Sequence, residues 1–523
     1  MKRIIIFASI CSLYFTSCDS LDLGPIDYYA SGNFWQNSAQ VNGNMLALHN
    51  DLRGTYTSLY LLGEARGGTS VYYVSATGQS ITYATPIKDN TFTATNTGVT
   101  NWNSFYPCIM KVNNFITEVE NGCTFLTDTE RGKFLGQAYG LRAYYYFMLY
   151  RTYGGVPLID KVKILEGVTD ATQLYTPRST PKETLDFIKS DVTKSEQSFG
   201  SDFSFSSNAL WSKSATMMLK AQIYLWSAKV SDGDQSPASS DLQTSKEALN
   251  QVIGKYSLLS TFSDVFEYTN KENKETIFAI RFKEGESTNA LSAEFTYNAI
   301  TSTFVNAVYS NTGALMGDTL KIAIATSTGQ NFNAYKYELF ESYDADDSRK
   351  ESTFLDFYAK NSEGEVIAKG LALRKFLGMI NASGNRIFAT DIPIFRYAET
   401  LLLMAEVENK LGNDPSPYIN EVRQRAYGAK YDPAVYGYTN SDFAINELAI
   451  LHERDKEFVY EGKRWFDVRR MQDASGKALV FSPAACYGTT QPILDSSEAY
   501  KALWPIDVNT MVNDPTVEQT PGY

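Results

Sequence analysis

The densest cluster of chemically capable residues is Leu448-Ala449-Ile450-Leu451-His452-Glu453-Arg454-Asp455-Lys456-Glu457-Phe458-Val459-Tyr460-Glu461-Gly462-Lys463-Arg464-Trp465-Phe466-Asp467-Val468-Arg469-Arg470. Glu453 and Glu457 stand one helical turn apart, and a glycosidase needs two carboxylates roughly 5 to 9.5 Å apart across a sugar. The same residues can instead form a partly buried salt-bridge lattice. Arg454, Arg464, Arg469 and Arg470 lie close in sequence and would keep both carboxylates ionised, leaving no proton donor. Opposite charges interleave at helical spacing, Glu461 with Arg464 and Lys463 with Asp467, which favours the lattice. Other catalytic chemistry is missing. His49 and His452 are the only histidines, neither in a metal-binding or nucleophile-activating motif, and there is no H-E-x-x-H, G-x-S-x-G, Walker loop or G-x-G-x-x-G. Asp344-Ala345-Asp346-Asp347 hints at calcium but lacks the glycine and twelfth-position glutamate of an EF-hand. No metal or other cofactor is expected.

Exposed aromatics offer a different chemistry. A sugar ring has an apolar C–H face that a flat aromatic covers, and a rim of hydroxyls that Asn, Asp or Arg satisfies. Residues 65–100 are rich in Gly, Ser, Thr and Tyr with only Arg66, Lys88 and Asp89 charged, and carry Tyr72, Tyr73 and Tyr83. Residues 286–330 are again small and polar, and carry Tyr297, Phe304 and Tyr309. Loops this long inside a compact protein are usually functional. These six aromatics are the candidate ligand contacts; the alternative is that some only plug the loops onto the core.

Helices must hold those loops. Leu448, Leu451, Asp455 and Phe458 share one face of a helix that stops near Gly462, and Trp465, Val468 and Arg469 share a face of the next. Trp102, Phe105, Ile109, Val112, Ile116 and Val119 form a stripe over 101–119, and Phe134, Ala138, Leu141, Tyr145 and Leu149 another over 130–153. The short turn between them predicts a helical hairpin. Further helices are expected over 181–195, 209–229, 241–253, 393–411 and 416–427. Glu399 and Glu406 are read as structural partners of Arg396 or Arg423. Alternating small and large apolar positions in paired helices resemble tetratricopeptide units. The 523 residues, 43% apolar and 20% charged, are globular in composition, and no stretch reads as a linker, so one large domain is expected. The net charge of −12 argues against nucleic acid as a partner. Cys108, Cys123 and Cys486 fit no disulfide framework and are expected to be buried apolar side chains.

Lys2 and Arg3, an apolar run over 4–15 and Thr16-Ser17-Cys18 make a signal peptide over 1–17, too short to span a bilayer as a mature helix. Thr16-Ser17-Cys18 resembles a lipobox, with Phe15 where Leu is usual, so Cys18 is the expected lipidation site. A plain secretory signal cleaved nearby is the alternative. Residues 18–36 read as a tether and loop.

The frame Glu453-Arg454-x-x-Glu457-x-x-x-Glu461-Gly462-x-Arg464-Trp465-Phe466-Asp467-x-x-Arg470 resembles the C-terminal signature of the SusD/RagB family of Bacteroidetes outer-membrane lipoproteins. Trp102, Tyr106, Ile109 and Asn113, the blocks over 141–146 and 153–158, Asp347-Ser348-Arg349, Leu373-Arg374-Lys375-Phe376 and Leu503-Trp504-Pro505-Ile506 resemble the family in the same order. The resemblance implies a mainly α fold, with four tetratricopeptide-like helix pairs packed against an irregular loop-rich half, in a single domain over 18–523. It implies that the signature residues are structural and that Arg374, on a family strand near the loops, is a conceivable polar contact. It also implies a cell-surface lipoprotein that binds oligosaccharides and delivers them to a SusC-like TonB-dependent transporter, on which it sits as a hinged lid. Low loop charge favours neutral glycans. Peptide capture, as in RagB-like members, a surface glycosidase and a lid without its own ligand site are the alternatives.

Overall fold

The computed structural model describes residues 34–71, 86–98, 102–289, 308–317, 319 and 333–523. Helix starts follow the chain's capping residues. Helix α1 (Ser38–Asp51) begins where the Asn37 side chain accepts from Gln40 N, and α2 (Tyr56–Gly63) follows through a 3-10 turn. Before α1, the Phe34 and Trp35 rings meet edge to face at 5.0 Å.

Helix α3 (Tyr106–Asn121) starts later than its apolar stripe, because Trp102–Ser104 forms a separate 3-10 turn and Pro107 fixes the first helical turn. Helix α4 (Asp128–Tyr153) opens with a reciprocal Thr127–Glu130 capping box and stops at Gly154, φ +74°. Helix α5 (Pro181–Phe199) repeats the device with Thr180 and Glu183. Helix α6 (Lys213–Lys229) is capped by Ser212, which moves its start four residues past the expected one; α7 (Asp241–Asn250) follows. Each packs on its sequence neighbour, giving the helical hairpins.

Two further short helices, α8 (Tyr337–Glu341) and α9 (Ser348–Thr353), precede the C-terminal set α10 (Tyr397–Lys410), α11 (Ser416–Tyr427), α12 (Phe443–Glu457) and α13 (Arg464–Arg470). Helix α10 packs on α6, α7, α11 and α12. The helix expected from 393 is shortened: Ile-Pro-Ile-Phe-Arg at 392–396 is a buried strand, and the helix begins at Tyr397. Its β-branched and aromatic side chains pack better on a pleated surface, so Ile394 reaches the core from a strand.

The strands are β1 (Ser70–Val71), β2 (Thr276–Ile280), β3 (Val308–Tyr309), β4 (Ala334–Tyr335), β5 (Phe354–Lys360), β6 (Val366–Leu373), β7 (Met379–Ile380), β8 (Arg386–Ile387) and β9 (Ile392–Arg396). They pair antiparallel as β1–β4, β2–β9, β3–β5–β6 and β7–β8. The main core runs from Val41 to Val517. A small second cluster of Val308, Ala334, Phe357 and Ala372 lies under the β3–β5–β6 sheet, with Val71, Met316 and Phe388 packed against it. Gly370 is required there, since a Cβ would stand 2.2 Å from the Phe357 ring. Cys108 and Cys123 are buried, whereas Cys486 is only half-buried. Among the described residues no helix is long and apolar enough to cross a membrane.

Candidate functional site

Glu453 and Glu457 project from α12 into the protein, 2% and 0% exposed, where a sugar cannot reach them. Their cations are not the sequence neighbours. Glu457 binds Arg349 at 3.0 Å, Arg396 at 2.6 Å and also Arg425, while Glu453 binds Arg349 and Arg423, each at 2.8 Å. Burial would raise the Glu457 carboxyl, but Arg425, Arg396 and Arg349 hold it well below the usual range, and Glu453 is held down likewise by Arg349 and Arg423. Both stay ionised, so this pair is a lattice with no proton donor.

The nearby arginines serve other helices. Arg454 binds Asp467 at 2.8 Å, Arg464 binds Asp455 at 2.6 Å, and Arg470 binds Glu406 and Asp467, each at 2.8 Å. The interleaved pairs expected within the signature are not made. Glu461 binds Lys375 at 2.5 Å and Arg396 at 2.8 Å, and Lys463 binds Glu399 at 2.9 Å. Accordingly Glu399 and Glu406 do not pair with Arg396 or Arg423; Glu406 takes Lys229 and Arg470. Trp465 is fully buried with the Arg66 guanidinium 3.9 Å over its ring. The Asp344–Asp347 carboxylates accept from Tyr427, Lys430, Tyr436 and Arg349, which accounts for each without an ion.

The lattice reaches the loop half through Glu64. Its Oε1 accepts from Tyr335 Oη and Tyr460 N, both at 2.7 Å, and its Oε2 from Gly462 N at 2.8 Å. Tyr335 belongs to β4, which pairs with β1 in the register Ser70↔Tyr335 and Val71↔Ala334. The described chain up to Val71 and the described chain from Ala334 therefore lie side by side. Strand β3 lies inside the other polar stretch and pairs with β5, which in turn pairs with β6.

Strands β1, β4 and β6 border a cleft of about 290 Å³, lined by Val71, Ala334, Tyr337, Lys369, Leu371 and Tyr487 among others. Tyr337 Oη shares a 2.7 Å hydrogen bond with Tyr358 Oη, and Lys369 Nζ lies 4.7 Å from the Tyr337 ring. Tyr487 Oη donates to Asp455 at 2.9 Å, and Lys336 Nζ donates to the Tyr487 carbonyl at 2.9 Å. Burial and the Asp455 carboxylate hold the Tyr487 hydroxyl protonated. Gly488, φ +64°, keeps the wall open beside Glu338, where a Cβ would stand 2.4 Å from Oε1. The cleft is lined by three tyrosines, Tyr335, Tyr337 and Tyr487, by Lys336 and Lys369, and by the exposed Glu338. That arrangement can hold a polyhydroxyl ligand and has no activated nucleophile.

Of the residues singled out in sequence, Cys18, Tyr72, Tyr73, Tyr83, Tyr297 and Phe304 lie outside the described residues. Tyr309 is half-buried on β3, with Lys360 Nζ 4.4 Å from its ring. Arg374 follows the far end of β6 and faces Glu351 at 4.0 Å in a separate groove with Arg386 and Phe266, so the structure does not bring it to the tyrosine cleft. Tyr337, Tyr358, Lys369 and Tyr487 were missed. The available signals were the Lys336-Tyr337 pair just after the second polar stretch and the period-two pattern over 354–360.

The fold defines a class, a mainly α-helical tetratricopeptide-like scaffold carrying a loop-rich half. The chain belongs to the SusD superfamily. The model described as "SusD family" matches residues 274–523, and that described as "Starch-binding associating with outer membrane" matches 62–225. A SusD superfamily protein from Bacteroides fragilis is 39% identical, with 94% of this chain and 100% of that one covered and a TM-score of 0.85. SusD-like protein P38 of Formosa agariphila is 27% identical over 97% of this chain and 96% of its own. Surface glycan-binding protein A from Bacteroides thetaiotaomicron, solved in complex with laminarihexaose, shares the fold at 19% identity and a TM-score of 0.67, covering 92% of this chain and 99% of that one.

Proposed function

We propose that this protein is a non-catalytic, cell-surface glycan-binding lipoprotein. In this reading residues 18–523 form one domain, anchored through an acylated Cys18, and the loop-root cleft captures neutral oligosaccharides. The cargo passes to a SusC-like TonB-dependent transporter that the protein covers as a lid, so its motion gates access and performs no chemistry. The observation that carries the reading is the pairing of β1 with β4, where the two aromatic-bearing polar stretches join the described fold, beside a cleft that already holds Tyr337 and Tyr487. The starch-binding description of the matching model and the laminarihexaose held by the structural neighbour support the ligand class.

Affinity electrophoresis with product analysis tests it. The protein is expected to be retarded in gels containing a neutral polysaccharide, such as laminarin or starch, and to release no shorter products. Product formation would overturn the non-catalytic role, and unretarded migration across a broad panel of neutral glycans would overturn glycan capture.

A further inference from the structure

We infer that a second saccharide subsite lies in the cavity between the C-terminal end of α4, the start of α5 and the C-terminal tail, about Asp232 and Arg469. This cavity of about 500 Å³ shares no lining residue with the loop-root cleft and falls within the ~300–1,000 Å³ range of small-molecule sites. The turn that carries Asp232 is closed by Asp232 N donating to Gln235 O at 3.0 Å and Gln235 N donating back at 2.8 Å. It sets the carboxylate over Gly154, where a Cβ would stand 3.2 Å from Oδ2.

Among the described residues this half-buried carboxylate accepts no hydrogen bond and forms no ion pair. Burial pushes it up to about 6, against the pull of the Arg469 and Arg178 guanidiniums. Arg469 is likewise without a carboxylate partner; Nη1 donates to the Arg151 carbonyl. Arg178 is committed to the wall, donating to Gly155 O at 2.7 Å and Tyr153 O at 2.5 Å. Tyr500, 38% exposed, closes the rim, its ring braced edge-on by Tyr523 at 5.0 Å.

An acceptor and a donor that face one cavity without pairing suit a ligand that both gives and takes hydrogen bonds. The carboxylate opposes an anion, and the two guanidiniums oppose a cation. A neutral sugar meets both conditions, with vicinal hydroxyls on Asp232 and Arg469 and its C–H face on Tyr500. The ligand class rests on the glycan-binding reading; the location does not.

Hydrogen exchange on the full chain separates the two sites, with maltose, cellobiose and lactose as probes and glycine as a zwitterionic control. At least one disaccharide is expected to protect segments 231–235 and 499–503. Asp232→Ala and Tyr500→Ala should each weaken that protection at least tenfold in concentration, while Tyr337→Ala leaves it unchanged. Asp232→Asn, which keeps the side-chain shape, carries the same expectation should the alanine variant fold poorly. The subsite is overturned if no sugar protects these segments, if glycine alone does, or if protection survives both Tyr500→Ala and the Asp232 substitution. Loss of sugar protection at 334–338 alone would count against the loop-root cleft and leave this subsite standing.

Discussion

Glu457 is held by three guanidiniums at once, and Arg396 by three carboxylates, those of Glu275, Glu457 and Glu461. Neutralising one member of such a buried set leaves its partners uncompensated, which typically costs about 3–5 kcal/mol. Glu457→Gln should therefore lower the denaturant midpoint by that equivalent without creating or removing any hydrolytic activity. Sequence reasoning reached the lattice but named the wrong cations. Arg349, Arg396, Arg423 and Arg425 lie outside the signature, and a pairing made only by tertiary packing leaves no spacing to read.

His49 and Glu64 give a pH test at the same scale. Burial lowers the His49 ring to about 4, its Nε2 accepting from Trp211 N, and raises Glu64 to about 7. For His49 the unfolded chain binds the extra proton, so its stability contribution is full above its ordinary value of 6.5 and lost as pH falls toward 4. For Glu64 the folded chain binds the extra proton, so its contribution is full below 4.5 and lost as pH rises through 7. Each is worth roughly 3 kcal/mol at the limit, and the two oppose one another over much of the same range. Relative to wild type, His49→Gln should shift the slope of stability against pH downward between pH 4.5 and 6.5, and Glu64→Gln should shift it upward. Equilibrium unfolding across that range checks both signs; equal slopes in all three proteins would show that neither group is perturbed.

At the scale of elements, two glycines set how closely the signature turn approaches α2. A Cβ on Gly63 would stand 2.0 Å from Gly462 O, and one on Gly462, φ +69°, would stand 2.4 Å from Leu59 O. Gly462→Ala thus adds a left-handed backbone penalty to a backbone clash. A loss of at least about 2 kcal/mol is expected, measured by denaturant unfolding. The helices were legible from their periodicity, and the Thr127–Glu130 and Thr180–Glu183 boxes sharpen their starts. The strands were not, because β1, β3 and β4 are two residues each and owe their form to partners far along the chain. That is also why the cleft stayed hidden. Tyr337 and Tyr487 are 150 residues apart in sequence and line one cleft only in the folded chain.

For the whole molecule, the proposal assigns retention at the membrane to Cys18 and capture to the loop-rich half, with the helical hairpins as the rigid frame between. Several acyl chains at about 0.8 kcal/mol per buried CH₂ hold a protein to a bilayer almost irreversibly. Cys18→Ser should move the protein from the membrane pellet to the soluble fraction while leaving its glycan retardation intact. Retention in the pellet would contradict the anchor. Capture at the loop-root cleft is tested by calorimetric titration of wild type and Tyr337→Ala with a panel of neutral oligosaccharides. Heat of binding is expected for at least one oligosaccharide, with the affinity of the Tyr337-dependent site reduced at least tenfold in Tyr337→Ala while the protein stays folded. Equal affinities for the two proteins would contradict it.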